Sequence, residues 1–412
     1  MKVYHLSSAP FSGGAARAGF RLHEGLLREP EVESIWLNAG TGAGFGNWPA
    51  VRFLRPGNHP RPFRLKLERW LWSRIMQRHF NMVAPISSNP VGWGCVEILS
   101  DLPSPDIWNL HSVAGFMEWN HFLPALARIA PVVWTLHDMN PLMGVWHYSV
   151  SDGGVTDTQA RYNARAEQLK SDGIHKIPLE RFQFVAPSKW MQAQCASSPI
   201  TSHFPVEHIP YGLDLDLFSP REPEVFRKIF EIPREAFVVG FIADHITDPR
   251  KGMSALMPAL NSLARKIPNL VLVAVGQGAQ KGCNVPLVEI GLISNTKMLP
   301  FFYSACDLFV CPSLQDNYPN TLLEAMGCGV PSVGFATGGV PELIDNGATG
   351  FVAEAVGNPD SLAAAIGSLS QMNSDTRRSM GLRAREIVLN RNGLQEQAKK
   401  YLQVYKKFLA TR

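Results

Sequence analysis

The chain has 412 residues, of which 45% are hydrophobic and 18% charged. That length and composition exclude a disordered chain and exceed what one ordinary core accommodates, so two globular domains are expected. A net charge of +4, with neither half strongly basic, gives no support to a nucleic-acid partner.

Apolar runs that read as strands alternate with helix-length segments along the chain. In the first half they fall at 2–8, 34–39, 106–112, 132–138 and 182–188, and in the second at 237–244, 270–276, 285–291, 308–313 and 330–336. Near-continuous apolar strands of this kind suit parallel sheets covered on both faces by helices. Ten of them exceed one comfortable sheet, so the expected architecture is α/β with two doubly wound, Rossmann-like domains. The break is expected in the proline-bearing stretch 208–224, which gives an N-terminal domain over 1–213 and a C-terminal domain over 214–390. Residues 391–412 then form an amphipathic C-terminal helix that packs back on the N-terminal domain.

After the first strand, "APFSGGAARAGF" places Gly13 and Gly14 at the start of a helix. The pair permits close backbone approach to a ligand, and a plain turn explains it about as well. Residues 52–80 hold eight Lys/Arg against one acid, Glu68, interleaved with Phe63, Trp70, Trp72 and Phe80. Such a segment can sit on an anionic membrane or cradle an anionic, lipid-linked acceptor; a solvated helix turning its aromatics inward is the equal alternative. His111 and His137 end two successive apolar runs, and Asp138 follows the second. A lone strand-end histidine is more often structural, but two at equivalent ends face the same crevice. Residues 151–173 read as a loop followed by an exposed helix.

In the second half, "TDPRKGM" sets Arg250 and Lys251 at a helix start, where a basic pair opposes the helix dipole and is suited to a diphosphate. "QDNYPNTLLEAMGCG" sets Asp316 just past a strand and Glu324 in the next helix. Pro319 suits the first turn of that helix, whose amides at Asn320, Thr321 and Leu322 would seat a phosphate. A carboxylate at Glu324 is a good acceptor for vicinal sugar hydroxyls.

The stretch 312–344 resembles the donor-site signature of glycosyltransferase family four, the group one glycosyl transferases, which are retaining enzymes of the GT-B fold; the variant here is similar to a bacterial polysaccharide-assembly branch. The resemblance implies two domains facing across a cleft. It also implies transfer of a sugar from a nucleoside-diphosphate donor to an acceptor hydroxyl with retention of configuration. Glu324 then binds the ribose, and Asp316, where the family usually has glutamate, meets the sugar together with Asn317 and Tyr318. Lys251 takes the family's phosphate-lysine position, and Arg250 stands in for an arginine carried several residues earlier. His111 matches the histidine that contacts the donor sugar, His137 and Asp138 line the acceptor side, and Gly13 and Gly14 lie at the phosphates.

Family membership further implies no cofactor and no essential metal, a glycan or lipid-linked acceptor, and a role in cell-surface polysaccharide or glycolipid assembly. The competing readings are a sugar-nucleotide epimerase or phosphorylase on the same fold, and a non-catalytic nucleotide-sugar-binding protein. Six cysteines without a C-x-x-C pair favour a reducing compartment. With no signal-peptide core and no membrane-length apolar run, the expected location is cytoplasmic, with peripheral contact at the inner face of the membrane through 52–80.

Overall fold

The structure, a computed structural model, describes residues 1–10, 13–40, 50–54, 63–80, 87–100, 102–149, 154–278 and 282–410. Parts of the glycine loop (11–12), the basic segment (55–62) and the polar loop (151–153) therefore lie outside the described residues. Two compact units are present: Met1–Pro210 with Gln397–Arg412, and Tyr211–Glu396.

The first unit carries the strands β1 (Lys2–Ser7), β2 (Glu33–Asn38), β3 (Val51–Phe53), β4 (Ile107–Leu110), β5 (Val132–Thr135), β6 (Phe182–Ala186) and β7 (Val206–His208). They form one parallel sheet in the order β3-β2-β1-β4-β5-β6-β7. The second unit carries β8 (Phe237–His245), β9 (Leu270–Gln277), β10 (Leu287–Gly291), β11 (Leu308–Cys311), β12 (Ser332–Phe335) and β13 (Gly350–Ala353). Its parallel sheet runs β10-β9-β8-β11-β12-β13. All ten predicted strands are present. The three unforeseen ones, β3, β7 and β13, are sheet edges of three or four residues. An edge strand keeps part of its surface in water, so it needs no continuous apolar run and leaves little periodic signal.

Both orders reverse direction at one place, between β1 and β4 and between β8 and β11. In a doubly wound sheet that reversal opens a crevice at the carboxyl ends of the strands, where ligands bind. The residues that follow β1, β4, β8 and β11 are therefore placed by topology alone at the two crevices.

Each sheet is buried on both faces, as alternating side chains require. In the first unit Tyr4, Leu6, Trp108, Trp134 and Phe184 enter one core, while Val3, Ile107, Val133 and Val185 enter another. The second of these is closed by the last helix, Leu394–Ala410, through Tyr401, Leu402 and Tyr405. Asn109 donates to the Tyr405 hydroxyl (2.6 Å), and the Thr135 and Tyr401 hydroxyls share a hydrogen bond (2.9 Å). These satisfy polar groups that the tight fit would otherwise strand.

Candidate active site

The crevice of the second unit is built by the turns after β8 and β11. After β8 a short 3-10 turn, Pro249–Lys251, is capped by the Asp248 side chain accepting from the Arg250 amide. Gly252 closes it at φ +76°, a left-handed conformation suited to glycine. A Cβ there would stand 1.7 Å from the Pro312 carbonyl, so the turn after β8 and the loop after β11 meet backbone to backbone. That contact is why a glycine follows Lys251.

It brings the predicted residues together. Lys251 Nζ donates to Asp316 Oδ2 at 2.7 Å, Ser313 donates to the same oxygen at 3.3 Å, and Arg250 lies 4.0 Å from it. Arg250 also donates to the Gln315 carbonyl (3.2 Å). Asp316 is buried, and burial alone would push its carboxyl up. The charges of Lys251 and Arg250 and the hydrogen bonds from Lys251 and Ser313 outweigh it and hold the group below the ordinary aspartate value. The carboxylate is thus ionised at neutral pH, with its hydrogen bonds among the described residues gathered on Oδ2.

The helix Asn320–Gly327 starts four residues on, and its first-turn amides have no partner within the helix. Pro319 is the residue before that helix, at φ −67° and ψ 115°, and not its first helical residue as predicted. Its locked φ fixes the entry of the chain, and the preceding Tyr318 is buried with its hydroxyl accepting from Asn392 (3.1 Å). Asn317 and Leu322 are also buried. Glu324 is 2% exposed, and the Tyr303 hydroxyl donates to its Oε2 at 2.7 Å. Gly338, at φ +53°, lets the next loop pack on Asp316, whose carbonyl would stand 1.6 Å from a Cβ. Tyr303 carried no periodic or motif signal of its own, and Ser313 and Gly338, though inside the resembling stretch 312–344, owe their partners to tertiary packing.

In the first unit the predicted histidines form a chain. His111 directly follows β4, and its Nε2 lies 2.9 Å from His5 Nδ1 while its Nδ1 lies 3.0 Å from His137 Nε2. Both ring nitrogens of His111 therefore face other histidines, and the ring is stacked on Trp36. Burial pushes His111 well below the ordinary histidine value, and neighbouring His5 and His137 add to it. Burial likewise lowers His137 to about 4. The three rings are neutral at pH 7, so each contact pairs one N–H donor with one bare nitrogen. A Cβ at Gly19 would stand 2.7 Å from His111 Nδ1, which accounts for that glycine inside the first helix.

Gly13 precedes the helix Gly14–Leu27 at φ −74°, and among the described residues a Cβ there would meet only the Pro10 carbonyl, at 3.5 Å. The backbone itself does not demand glycine at 13. Asp138 is committed to its own loop: Oδ1 accepts from the Asn140 amide (2.9 Å) and Oδ2 meets His147 Nδ1 (2.7 Å). The same loop is held by Lys170, whose ammonium donates to the carbonyls of Asn140 and Met143 and lies 5.0 Å from the Trp119 ring centroid. Lys170 lies on the helix Asp157–Ile174, which was expected to be exposed; Ala166, Lys170, Gly173 and Ile174 form a buried face instead. Burial lowers Lys170 to about 7 against the raising effect of Asp138 and Glu167. Among the described residues no cluster of three or more His, Cys, Asp or Glu could hold a metal ion.

Residues 236–372 match the family model described as "Glycosyl transferases group 1". The D-inositol 3-phosphate glycosyltransferase of Mycolicibacterium smegmatis is 26% identical over 243 residues, covering 56% of this chain and 52% of that protein. A GDP-mannose-dependent alpha-(1-6)-phosphatidylinositol monomannoside mannosyltransferase of the same organism is 28% identical over 207 residues, covering 45% and 52%. The chain thus spans about half the length of these relatives. Among solved structures, sucrose-phosphate synthase of Thermosynechococcus elongatus superposes with TM-score 0.69 at 17% identity over all of both chains. Anabaena HepE in complex with UDP superposes with TM-score 0.67 at 18% identity, covering 98% of this chain and all of the other. Both likenesses bear on the fold alone, which is GT-B. The matched segment, which lies in the second unit, and the named relatives make this chain similar to the group 1 glycosyl transferases, and its two parallel-sheet units have the GT-B fold.

Proposed function

We propose that the protein transfers a sugar from a nucleoside diphosphate to an acceptor hydroxyl, with retention of configuration. The observation that supports this reading best is the Lys251–Asp316 pair at the β8/β11 reversal, beside a helix start and a buried carboxylate, Glu324. Those parts match the chemistry of a nucleotide sugar from end to end. Glu324, oriented by Tyr303, accepts from the ribose hydroxyls. The amides of Asn320, Thr321 and Leu322 receive the diphosphate, and Arg250 and Lys251 meet its charge. Lys251 has three donors and gives one to Asp316, so it is positioned before the ligand arrives. Asp316, with Asn317 and Tyr318 shaping its loop and Oδ2 held by the cations, offers Oδ1 to the sugar.

In the reaction the bond from the anomeric carbon to the diphosphate oxygen breaks, and its electron pair leaves with the diphosphate. The acceptor oxygen bonds to the anomeric carbon, and its proton passes to the departing phosphate. Negative charge grows on that phosphate, which is where Arg250 and Lys251 act; preorganised cations of this kind lower such barriers by several kcal/mol, on the order of 10²–10³-fold in rate. Asp316 and Glu324 are binders in this scheme. In the first unit the equivalent crevice carries Gly13 and Gly14, assigned to the donor phosphates and acceptor, His111, assigned to the donor sugar, and His137 and Asp138, assigned to the acceptor side. The ring contact between His111 and His137 fixes the tautomer of both. A glycan or lipid-linked acceptor and a role in polysaccharide or glycolipid assembly complete the reading.

A panel of nucleotide sugars screened by thermal shift, followed by determination of the product anomer, tests it. One donor raising the melting temperature and yielding the donor's own anomer supports it. Stabilisation by no donor, or an inverted product, removes it.

A further inference from the structure

The helix Phe63–His79 divides its aromatic side chains between two faces. Trp72 and Met76 point inward and join Phe80, Val91 and Trp146 in a small core. Phe63 and Trp70 point outward, 78% and 56% exposed, together with Leu67 and Leu71. At 100° per residue the exposed positions span an arc of about 160°. Within that arc the four apolar side chains alternate with four exposed basic ones, Arg64, Lys66, Arg74 and Arg78, and Gln77 is the remaining member. The helix's single acid, Glu68, falls outside the arc and is half-buried.

We propose that this face of the helix docks the protein on an anionic lipid bilayer. A convex helix face with a cation beside every large apolar side chain suits that surface. The aromatic and leucine side chains enter the headgroup–acyl boundary while the long basic side chains reach anionic headgroups. Trp70 has the ring type favoured at such boundaries, and Arg74 already lies 5.8 Å from its centroid. The two rival partners fit less well. The core of a protein–protein interface is depleted in charge, whereas here charge and apolar surface are interleaved. A nucleic acid would satisfy the cations and leave four apolar side chains against phosphate. The docking is independent of the donor reading, since none of these residues takes part in it.

Co-sedimentation of the full chain with vesicles tests the proposal, using phosphatidylcholine alone and phosphatidylcholine with about one-third phosphatidylglycerol. The protein is expected to sediment with the anionic vesicles at low salt and to be released at high salt. Neutralising Arg74→Gln with Arg78→Gln should weaken partitioning about 25-fold, at roughly fivefold per charge. Phe63→Ser with Trp70→Ser should weaken it at least tenfold. All four positions are exposed, so an unchanged melting temperature separates lost docking from lost folding. Indifference of the wild type to anionic vesicles overturns the proposal, as does vesicle binding that neither pair of substitutions alters. A dimer dissolved by Phe63→Ser with Trp70→Ser, without vesicle binding, would reassign the face to a contact between copies of the chain.

Discussion

Lys251, Asp316 and Glu324 are each held by a neighbour before any ligand is present. This makes their substitutions separable in effect. Glu324→Ala removes an acceptor for the ribose hydroxyls and should weaken nucleoside-diphosphate affinity by roughly 10- to 100-fold, the worth of a hydrogen bond to a charged group. Lys251→Ala should lower kcat by about 10²-fold with a smaller effect on sugar recognition, and steady-state kinetics at saturating donor distinguish the two. Wild-type turnover in Lys251→Ala would remove its phosphate role. The histidines make a second, pH-dependent statement. The folded-state values of His5, His111 and His137, and of His23, which lies buried in the helix Gly14–Leu27 with its Nδ1 2.7 Å from the Ser34 hydroxyl, are below the ordinary histidine value, near 4 for His23 and His137. Between that value and about 6.5 the unfolded chain binds protons that the buried rings refuse, so stability rises with pH across this window and is lost on acidification. Thermal midpoints measured from pH 7 down to pH 4 should fall, and His23→Gln should flatten part of the fall. An unchanged pH response in that variant would mean that the His23 ring is charged in the folded protein.

At the level of elements, the turn after β8 and the loops after β11 and β12 depend on glycines with backbone atoms against them. Gly252→Ala and Gly338→Ala would each drive a methyl into a carbonyl, at Pro312 and Asp316 respectively. Both should abolish donor binding while leaving the sheets folded, as read by calorimetry alongside circular dichroism. Retained affinity would show that these loops adjust. The helix Asp157–Ile174 holds the loop after β5 through Lys170. That amine has a folded value of about 7 against an unfolded value near 10.5, so the unfolded chain binds the extra proton between them. Stability should therefore rise from pH 7 to pH 9 through this group, and Lys170→Met should lose that rise in denaturant titrations. An identical pH response in both proteins would contradict it. Lys170 also marks where sequence reading stops. A lysine among polar neighbours reads as solvated, and only the fold reveals that the loop carbonyls and Trp119 surround it. The same applies to Phe63–His79, whose composition left inward and outward aromatics undecided until the helical phase separated Trp72 from Trp70.

Across the whole molecule, strand alternation was enough to anticipate two parallel-sheet units, because strands buried on both faces must be apolar along their length. The short edges β3, β7 and β13 escaped for the converse reason. The candidate site positions were legible where the chain itself carries them next to a strand end, as at Lys251, Asp316 and His111. Tyr303 was not, since its partner comes from tertiary packing. The C-terminal helix belongs with the first unit, and Tyr405→Phe, which strands the buried Asn109 amide, should cost about 1–3 kcal/mol in denaturant unfolding. A cost near zero would show that Asn109 finds another partner. The proposed function requires a nucleotide-sugar site after β8 and β11. Its most direct test is calorimetric titration of the protein with uridine, guanosine and adenosine diphosphates, repeated on Lys251→Ala and Glu324→Ala. At least one nucleotide is expected to bind the wild type, and both substitutions to weaken that binding tenfold or more. Binding of none of the three, or equal binding to all three proteins, would contradict it.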